Sequence, residues 1–485
     1  MNKILKSIIF LSFLAGIANA GTFTQKTYLQ TRPFLSNLPM EYTTWHTQVN
    51  KDKIGSWGGS FQVTGFFQNS YNEENLGEYF GYYAVNEGKN RNYIIVADGA
   101  TDSLAVRNII HNSGNVAGLK PTGKFTLNPT QRTLGIRLDY YHAIKRFFLK
   151  ISTPIIHVKS GINPYVVGAL TTATQGSGSG QTIMDFFKGN YEETTGNDLQ
   201  DKLLYAKIQG NHLTTGLGDI KIAGGYNIYK HKGHHVKFGV DFTIPTGNDA
   251  SAEWLFEPIT GNGGYWAIGG FIDTKFLLWK KEKGRIELLT AGNIEYLFES
   301  SEKRTLGIKD YVTGFATTPL GHYYLTGESG QTTLFPAANI LTQDVKIKPQ
   351  VQLEGLLGLA LISDNFTFEF GYNIFYKEKE NISLKNAWED DKYALSRTGY
   401  SSAAVFNTTT DSIGGTTGPI QSTNIDLRPA QSPSAVTNKI YCGMGYCFNE
   451  WKTPWMLGIG GAYEFHSGNT ALEGFEFWLK TALSF

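Results

Sequence analysis

The sequence predicts an all-β protein: a transmembrane, antiparallel, up-and-down β-barrel of about twelve strands, with fourteen as the alternative count. Three observations predict this fold class. Apolar and polar residues alternate along many long segments, and the connections between those segments are alternately long and short. In addition, the chain starts with the pattern of a secretory signal.

Composition narrows the class before any pattern is considered. The 485 residues include 55 glycines and 14% aromatic residues, whereas hydrophobic residues make up 41% and the mean hydropathy is −0.24. A helical membrane protein needs runs of ~18 or more apolar residues, which fits this composition poorly. The formal net charge is +1, so no basic footprint for nucleic acid is present and no nucleic-acid partner is expected.

The N-terminus predicts export from the cytoplasm. Lys3 and Lys6 precede an apolar run from Ile8 to Ile17, and Ala18-Asn19-Ala20 has the spacing of a signal-peptidase site. We therefore expect a signal peptide over residues 1–20, whose removal changes the formal net charge to −1. The alternative, a membrane anchor, is disfavoured because the apolar run is too short to span a bilayer.

The C-terminal segment shows the alternation most clearly. Between Phe475 and Phe485, one face carries Phe, Leu and Thr side chains, and the chain ends on a phenylalanine in register with that apolar face. This ending resembles the C-terminal strand of bacterial outer-membrane barrels. The resemblance implies that Phe485 is an assembly signal read by the barrel assembly machinery, and that the protein lies in the outer membrane of a Gram-negative-type bacterium.

Other segments repeat the period of two. The clearest of these segments extend from Val236 to Ile244 and from Phe366 to Tyr376. A longer segment, from Val345 to Leu361, is predicted as a single strand. The weaker candidates are Phe61 to Phe67 and Ile440 to Phe448. Most segments have nine or more residues, which is the length that a tilted strand needs to cross a bilayer. Ordinary strands are shorter, so length favours a barrel over a sandwich.

The connections test the barrel independently. Those predicted as short are 142–146, 230–234, 280–284, 362–365 and 449–453. Those predicted as longer are 71–131, 154–216, 246–263, 300–343, 379–438 and 466–473, and one helical turn is expected at 183–187. Short periplasmic turns alternating with longer outer loops are typical of outer-membrane barrels, whereas a soluble multi-sheet protein, the alternative, would not produce the alternation. The barrel is thus expected over 58–485, preceded at 21–57 by a periplasmic leader or a partial plug.

If the apolar stripes face lipid, the residues between them line the lumen. The charged and amide side chains predicted there are the pore candidates. They are Arg137, Asp139, Lys150, Asp241, Asp273, Lys275, Glu287, Glu295, Gln352, Glu354, Glu369, Lys377, Glu464, Glu476 and Lys480. Acids and bases are nearly balanced, which predicts mild ion selectivity. The alternative is that these charges pair across strands and only stabilise the wall.

Two short motifs resemble a loosely defined porin-like family. Gly216-Leu217-Gly218-Asp219-Ile220 opens one predicted strand, and Ile244-Pro245-Thr246-Gly247-Asn248 closes the next. They are similar to the G-L-G-D-I and L-P-T-G-D/N pattern of outer-membrane channels of the phenol-degradation (MetA-pathway) type, with Asn248 where Asp is commoner. The resemblance spans roughly 216–299 and implies passive uptake of small organic molecules. The turn residues also explain the second motif without any substrate.

Catalytic and metal sites are weakly supported. His111-Asn112-Ser113-Gly114-Asn115 resembles the H-x-S-N-G pattern of outer-membrane phospholipases, but Asn and Gly are exchanged and the motif falls in a predicted loop. His231, His234 and His235 have no third ligand at a suitable spacing. We therefore expect no enzyme, no cofactor and no metal. A second pair, His466-Ser467, is adjacent and would point to opposite faces of a strand.

The two cysteines give no firm expectation. Cys442 and Cys447 would lie on opposite faces of one extended strand, too far apart for a disulfide, so a bridge would need a turn between them.

The sequence thus predicts a porin-like channel for passive diffusion of small polar or amphiphilic solutes. The alternative is a surface-exposed adhesion or structural barrel with a plugged lumen, and a remote alternative is an outer-membrane phospholipase. The expected partners are outer-membrane lipid, the barrel assembly machinery and small-molecule solutes, and the oligomeric state stays open.

Overall fold

The computed structural model describes most of the chain. The described residues are 25–44, 57–84, 89–96, 109, 123–168, 182–194, 199–231, 233–309, 320–395, 419–450, 452–466 and 470–485. The expected signal peptide, 1–20, lies outside them and stays a prediction.

Twelve long strands form the main sheet. They are β1 (Trp57–Ser70), β2 (Gly123–Ile144), β3 (Phe147–Gly168), β4 (Ile220–His231), β5 (His234–Ile244), β6 (Ala267–Lys280), β7 (Gly284–Leu297), β8 (Gln350–Ser363), β9 (Phe366–Lys377), β10 (Ala435–Phe448), β11 (Trp455–Phe465) and β12 (Gly474–Ser484). Each strand pairs antiparallel with the next along the chain.

The first and last strands close the sheet into a barrel. β1 pairs with β12 from Ser60 opposite Ser484 to Ser70 opposite Gly474. Beyond this ladder, the Gly59 amide donates to the Phe485 carbonyl over 2.7 Å, and the Phe485 amide donates to the Gly59 carbonyl over 2.9 Å. Closure pairs the backbone groups that an open sheet edge would leave exposed to lipid. The predicted twelve-strand, up-and-down β-barrel is therefore confirmed.

The outer face of the barrel is apolar. Leu134, Val240 and Phe477 are between 58% and 66% exposed, and the alternate residues beside them face inward and are buried. A soluble protein rarely exposes so large a continuous apolar surface, whereas a bilayer makes it favourable. The predicted lipid-facing stripes are thus confirmed for these strands.

Aromatic side chains are exposed at both ends of this apolar belt. Trp266 and Tyr296 lie at the end from which the long connections emerge, and Trp279, Phe366 and Tyr446 lie near the short turns. Aromatic girdles at the two membrane interfaces are typical of outer-membrane barrels. The chain is therefore a transmembrane β-barrel of the outer-membrane type, with its short turns at the periplasmic end.

The predicted alternation of connections is confirmed, although several boundaries move. The hairpin of β2 and β3 is longer than predicted, so 123–131 and 154–168 belong to strands and not to loops. Strand Gly210–Leu217 pairs with the outer half of β3 and precedes β4. One predicted strand is wrong in part: Val345 and Ile347 belong to a separate strand outside the barrel and are fully buried, so they do not face lipid.

The outer loops fold into a cap with its own short elements. Its strands and 3-10 turns are Tyr82–Ala84, Lys89–Arg91, Tyr93–Val96, Ser300–Thr305, Gly307–Ile308, Gly321–Tyr323, Leu325–Glu328, Phe335–Pro336, Thr342–Lys348, Asn381–Leu384, Tyr393–Leu395, Ser422–Asn424 and Ile425–Asp426. Its helices are Glu73–Phe80, Ile183–Phe187 and Ala338–Leu341. The helical turn expected at 183–187 is thus confirmed, and Thr182 caps it by accepting from the Asp185 amide.

Two apolar clusters hold the cap together. One contains Phe80, Phe187 and Tyr323, and the other contains Leu341 and Val345, all of them buried. Within the described residues, no helix has both the length and the apolar character needed to cross a membrane.

Candidate functional site

The predicted lumen residues all lie on the inner face of the barrel wall. Twelve of the fifteen are buried, and Lys150, Lys275 and Glu464 are partly exposed. Their burial has two causes, which are pairing between charges of neighbouring strands and a length of chain that lies inside the barrel. Their role as pore-lining groups stays a prediction.

Residues 25–44 lie inside the barrel and its cap. At the outer end, the Lys26 amide donates to the Tyr79 carbonyl and the Thr27 amide donates to the Pro429 carbonyl. At the other end, the Thr44 hydroxyl contacts the sulfur of Met456, the second residue of β11 after a short turn. This part of the chain therefore passes through the lumen from the outer end to the periplasmic end, and we call residues 25–44 the luminal segment.

A five-residue helix, α1 (Leu38–Tyr42), forms the centre of the luminal segment, and all five residues are buried. Asn37 precedes it, and its side-chain oxygen accepts from the Met40 amide over 3.3 Å. Pro39 occupies the first turn, where its missing amide hydrogen is not needed. These local preferences fix a compact turn in the middle of the lumen, which directs Glu41 toward the wall.

Glu41 is the centre of a buried ion-pair cluster. One carboxylate oxygen lies 2.5 Å from Nη2 of Arg137, and the other binds Nζ of Lys150. Arg137 also pairs with Asp139 over 3.0 Å, and Lys480 donates to the backbone carbonyl of Glu41 over 3.0 Å. Four predicted lumen residues thus lie around Glu41, two of them bound by its carboxylate, because buried charges require close partners.

Arg32 anchors the outer half of the luminal segment. Its guanidinium lies 2.6 Å from Glu354 and 3.0 Å from Glu464, and it donates to the Asn373 side chain over 2.7 Å. Its cationic carbon also lies 4.8 Å from the ring centre of Phe375. Planar, multidentate contacts of this kind suit arginine and fix the segment against strands β8, β9 and β11.

Glu476 of β12 also links the luminal segment to the wall. Its Oε2 accepts from the side chains of Asn37 over 2.9 Å and Gln68 over 2.7 Å. Lys439 lies between two carboxylates, 3.2 Å from Glu476 and 3.3 Å from Glu464. Lys439 directly precedes one of the weaker predicted strands, Ile440 to Phe448.

Glycines on the inner wall make room for the end of the luminal segment. A Cβ at Gly443 would lie 2.3 Å from the methyl carbon of Thr43, and one at Gly445 would lie 2.8 Å from that of Thr44. Any larger residue at these two positions would collide with the segment. The wall therefore complements the segment in shape as well as in charge.

A second group of predicted lumen residues pairs within the wall. Most of its ion pairs join residues of neighbouring strands or of one strand, and Lys221–Glu295 joins β4 to β7. The pairs are Lys221–Glu295 at 2.8 Å, His235–Asp273 at 3.1 Å, Arg285–Glu287 at 2.8 Å, Lys275–Glu287 at 3.9 Å and Lys237–Asp273 at 4.0 Å. Asp241 accepts from the Asn293 side chain over 2.7 Å. For these residues, cross-strand pairing supplies a stabilising role in the wall.

The outer end of the luminal segment is held by a buried arginine of the cap. Arg304 lies 2.7 Å from Glu302 and 3.7 Å from Glu380, and its guanidinium covers the ring of Tyr28. Burial opposes the charge of Arg304, but the two carboxylates outweigh that effect, so its pKa is raised. Burial also lowers the pKa of Lys26 to about 8. The cap thus fixes the segment through charge as well as through backbone hydrogen bonds.

The two motifs that resemble a channel family contact each other. The Thr246 hydroxyl donates to the Gly218 carbonyl, and the Gly247 amide donates to Asp219 over 3.4 Å. Asp219 is buried, and this burial raises its pKa to about 6. The motifs therefore fix the start of β4 to the end of β5 at the outer rim, which is a structural role.

The catalytic and metal candidates gain no support from the described residues. His111, Ser113 and Ser467 lie outside them, and His466 contacts Asn72 at the rim. No group of three potential metal ligands occurs in the described part of the chain. The expectations of no enzyme and no metal stay predictions.

Cys442 and Cys447 form no disulfide with each other. They belong to one uninterrupted strand, β10, and no turn separates them. The bridge that a turn would have permitted is therefore not formed.

Sequence reasoning missed the contributions of Arg32, Asn37 and Glu41. These residues belong to 21–57, where no alternation of apolar and polar residues indicates structure. The signal that could have found them is the set of charges on the inner face, since buried charges require partners.

The comparisons with known proteins find weak structural similarity to solved outer-membrane proteins. The sequence matches no family profile and no curated protein. An outer membrane channel from Pseudomonas putida F1 is 11% identical, with 90% of this chain and 98% of that chain covered and a TM-score of 0.39. The translocator domain of the autotransporter NalP from Neisseria meningitidis is 6% identical, with 93% and 94% covered and a TM-score of 0.29. A FadL homologue from Pseudomonas aeruginosa is 8% identical, with 88% and 89% covered and a TM-score of 0.25. These structures are outer-membrane barrels, and the barrel of this chain is established by its own strand pairing.

Proposed function

We propose that this protein is an outer-membrane channel for small polar or amphiphilic solutes, and that the luminal segment holds it closed. The observation that carries the proposal is that ion pairs and hydrogen bonds retain the segment in a polar lumen. Arg32, Asn37 and Glu41 each bind polar or charged groups of the wall. Water can replace such contacts when the segment moves, which it cannot do for an apolar core.

The inner wall would remain a polar path after the segment leaves. Its acids and bases are interspersed, as in the pairs Lys221–Glu295 and Arg285–Glu287. A wall with both signs of charge lowers the barrier for polar solutes without excluding one type of ion. Mild selectivity is therefore the expected behaviour of the open state.

The competing function is a surface-exposed adhesion or structural barrel whose lumen is permanently filled. The cap favours it, because its two apolar clusters give the outer loops a fixed shape. The two functions differ in one respect. A channel must be able to release the luminal segment in the membrane and must conduct once the segment is removed. A structural barrel has no need to release it.

Planar-bilayer recording of the full chain and of a variant lacking residues 25–44 tests the proposal. The full chain should be mostly closed, and the deletion variant should give discrete conductance steps. Electrophoresis with and without boiling shows whether each barrel is folded. A folded deletion variant without conductance would contradict the proposal, and partner binding that disappears when the cap loops are shortened would then favour the surface function.

A disulfide lock provides a test that keeps the segment in place. A Cβ at Gly445 would lie 3.0 Å from the Cβ of Thr44, so a shift of about half an ångström permits a disulfide. Thr44→Cys and Gly445→Cys are combined with Cys442→Ser and Cys447→Ser. Openings should be absent when this variant is oxidised and should return when it is reduced. In a variant with only the two serine substitutions, the reductant should not change the frequency of openings.

A further inference from the structure

A cavity of about 80 Å³ lies between the luminal segment and the wall near the outer end of the barrel. One side is formed by residues 31–34 and 36–37 of the segment, and the other by the outer ends of β1, β2, β10, β11 and β12. It lies beside the connection 466–473, the shortest of the outer connections between barrel strands.

Two residues that line this cavity each have a buried polar atom for which the described part of the chain supplies no hydrogen-bond partner. The atoms are Oε1 of Glu476 and the hydroxyl oxygen of Thr133. The two residues are 3% and 1% exposed. Oε2 of the same Glu476 carboxylate already accepts from Asn37, Gln68 and Lys439, so the vacant oxygen is the one available to a new donor. Leaving such atoms unpaired is unfavourable, and a ligand with hydrogen-bond donors would remove that penalty.

The charge of the lining favours a cation. Acidic side chains there outnumber basic ones by one, because Glu464, Glu473 and Glu476 face Arg32 and Lys439. Arg32 and Lys439 are both engaged with these carboxylates or with Glu354. An added anion would have to displace such a contact, whereas an added cation meets an unused carboxylate oxygen.

Part of the lining is apolar. Pro33 and Phe34 of the luminal segment and Leu472 of the outer connection lie beside the polar groups. A ligand with a charged head and a short hydrocarbon chain would therefore satisfy both kinds of surface.

We infer that this cavity, which we call the seam site, binds small organic ammonium ions that carry a short apolar chain. The ammonium group donates to Oε1 of Glu476 and to the Thr133 hydroxyl, and the chain packs on Phe34 and Leu472. This inference rests on the proposed function and deepens it by naming a solute class that the closed channel recognises at its entrance.

Calorimetric titration of the full chain in detergent with n-butylammonium chloride tests the inference. Butyrate and n-butanol serve as probes of the same length with a negative or no charge, at matched ionic strength. One saturable site for butylammonium is expected, with no saturation by the other two. Glu476→Gln should weaken that binding at least tenfold, and Thr133→Val, which removes only the hydroxyl, should weaken it severalfold.

Glu295→Gln is the matched control, because Glu295 is a buried carboxylate of the inner wall that pairs with Lys221 and does not line the cavity. It should bind butylammonium as the unaltered chain does. Equal weakening by Glu295→Gln and Glu476→Gln, or no weakening by Glu476→Gln, would overturn the inference. The channel proposal is tested separately. If butylammonium binds but the variant lacking residues 25–44 does not conduct, the seam site stands and the channel proposal is contradicted. If that variant conducts but butylammonium does not bind, the channel proposal stands and the seam site is contradicted.

Discussion

Oε2 of Glu41 in the luminal segment lies 2.5 Å from Nη2 of Arg137 in β2, and both side chains are at most 5% exposed. This ion pair joins the luminal segment to the barrel wall. Its strength therefore contributes directly to how firmly the lumen is closed.

Glu41→Gln should weaken the retention of the luminal segment. The change leaves Lys150 without its carboxylate and Arg137 with Asp139 alone, and breaking a buried pair costs about 3 kcal/mol. We expect more frequent openings in planar bilayers and faster protease cleavage within 25–44. Glu253→Gln, which removes a partly exposed pair with Lys207 in the cap, should change neither. Unchanged opening in Glu41→Gln would show that this pair does not hold the segment.

Gly443→Leu should displace the end of the luminal segment by steric conflict. The Cβ alone would lie 2.3 Å from the Thr43 methyl carbon, so the segment has to move. The expected result is a folded barrel with higher conductance than the unaltered chain. Gly65→Leu is the matched control, because its Cβ would have no neighbour closer than 4.0 Å. Equal conductance in the two variants would contradict the fit of wall and segment.

Acid should destabilise the cap through His322. Burial lowers the pKa of this side chain to about 3, so the unfolded chain binds an extra proton between about pH 3 and pH 6.5. Stability is present above that window and is lost as the pH falls through it, by about 3 kcal/mol between pH 6.5 and pH 4. Protease resistance of the cap, measured against pH, should show this loss.

The variant His322→Phe should remove most of that acid sensitivity, and His231→Phe, which changes an exposed residue of the β4–β5 turn, should not. An acid transition of the cap that is identical in all three proteins would exclude His322 as its cause.

Removal of Phe485 should lower the yield of folded barrel. Its backbone amide and carbonyl both pair with Gly59 and extend the ladder that closes the barrel, and its side chain is 60% exposed to the lipid side. Electrophoresis of membranes with and without boiling measures the folded fraction. Phe366→Ser is the control, since Phe366 is an exposed phenylalanine away from the closing ladder. A normal yield without Phe485 would contradict its role as an assembly signal.

The barrel could be predicted because each of its strands has a local pattern of apolar and polar residues. A period of two, held in register over a strand such as Val236 to Ile244, places one set of residues in lipid and the other inside. The same period misleads where a sheet is buried on both faces or lies outside the membrane. Val345 and Ile347 alternate with lysines as lipid-facing residues would, yet they pack inside the cap.

The luminal segment could be placed only loosely, as a leader or partial plug, because its position depends on distant partners. Arg32 contacts residues more than 300 positions away along the chain, and no local pattern encodes such a contact. Lys439 could have been predicted as a lumen residue, since it neighbours the exposed Ile440 and therefore faces inward. The sequence predicts its neighbours Glu464 and Glu476 as lumen residues, but the ion pairs among the three can be recognised only in the closed barrel.

The join between β1 and β12 also constrains how the molecule is made. The luminal segment lies N-terminal to β1 in the sequence, whereas its partners at both ends include residues of the last third of the chain, such as Pro429 and Met456. Those partners emerge from the ribosome last, so the segment reaches its bound position only when synthesis is nearly over. The barrel must then either close around a luminal segment that is already in place or take up that segment after closure. In either order, the lumen is filled only at the end of biogenesis.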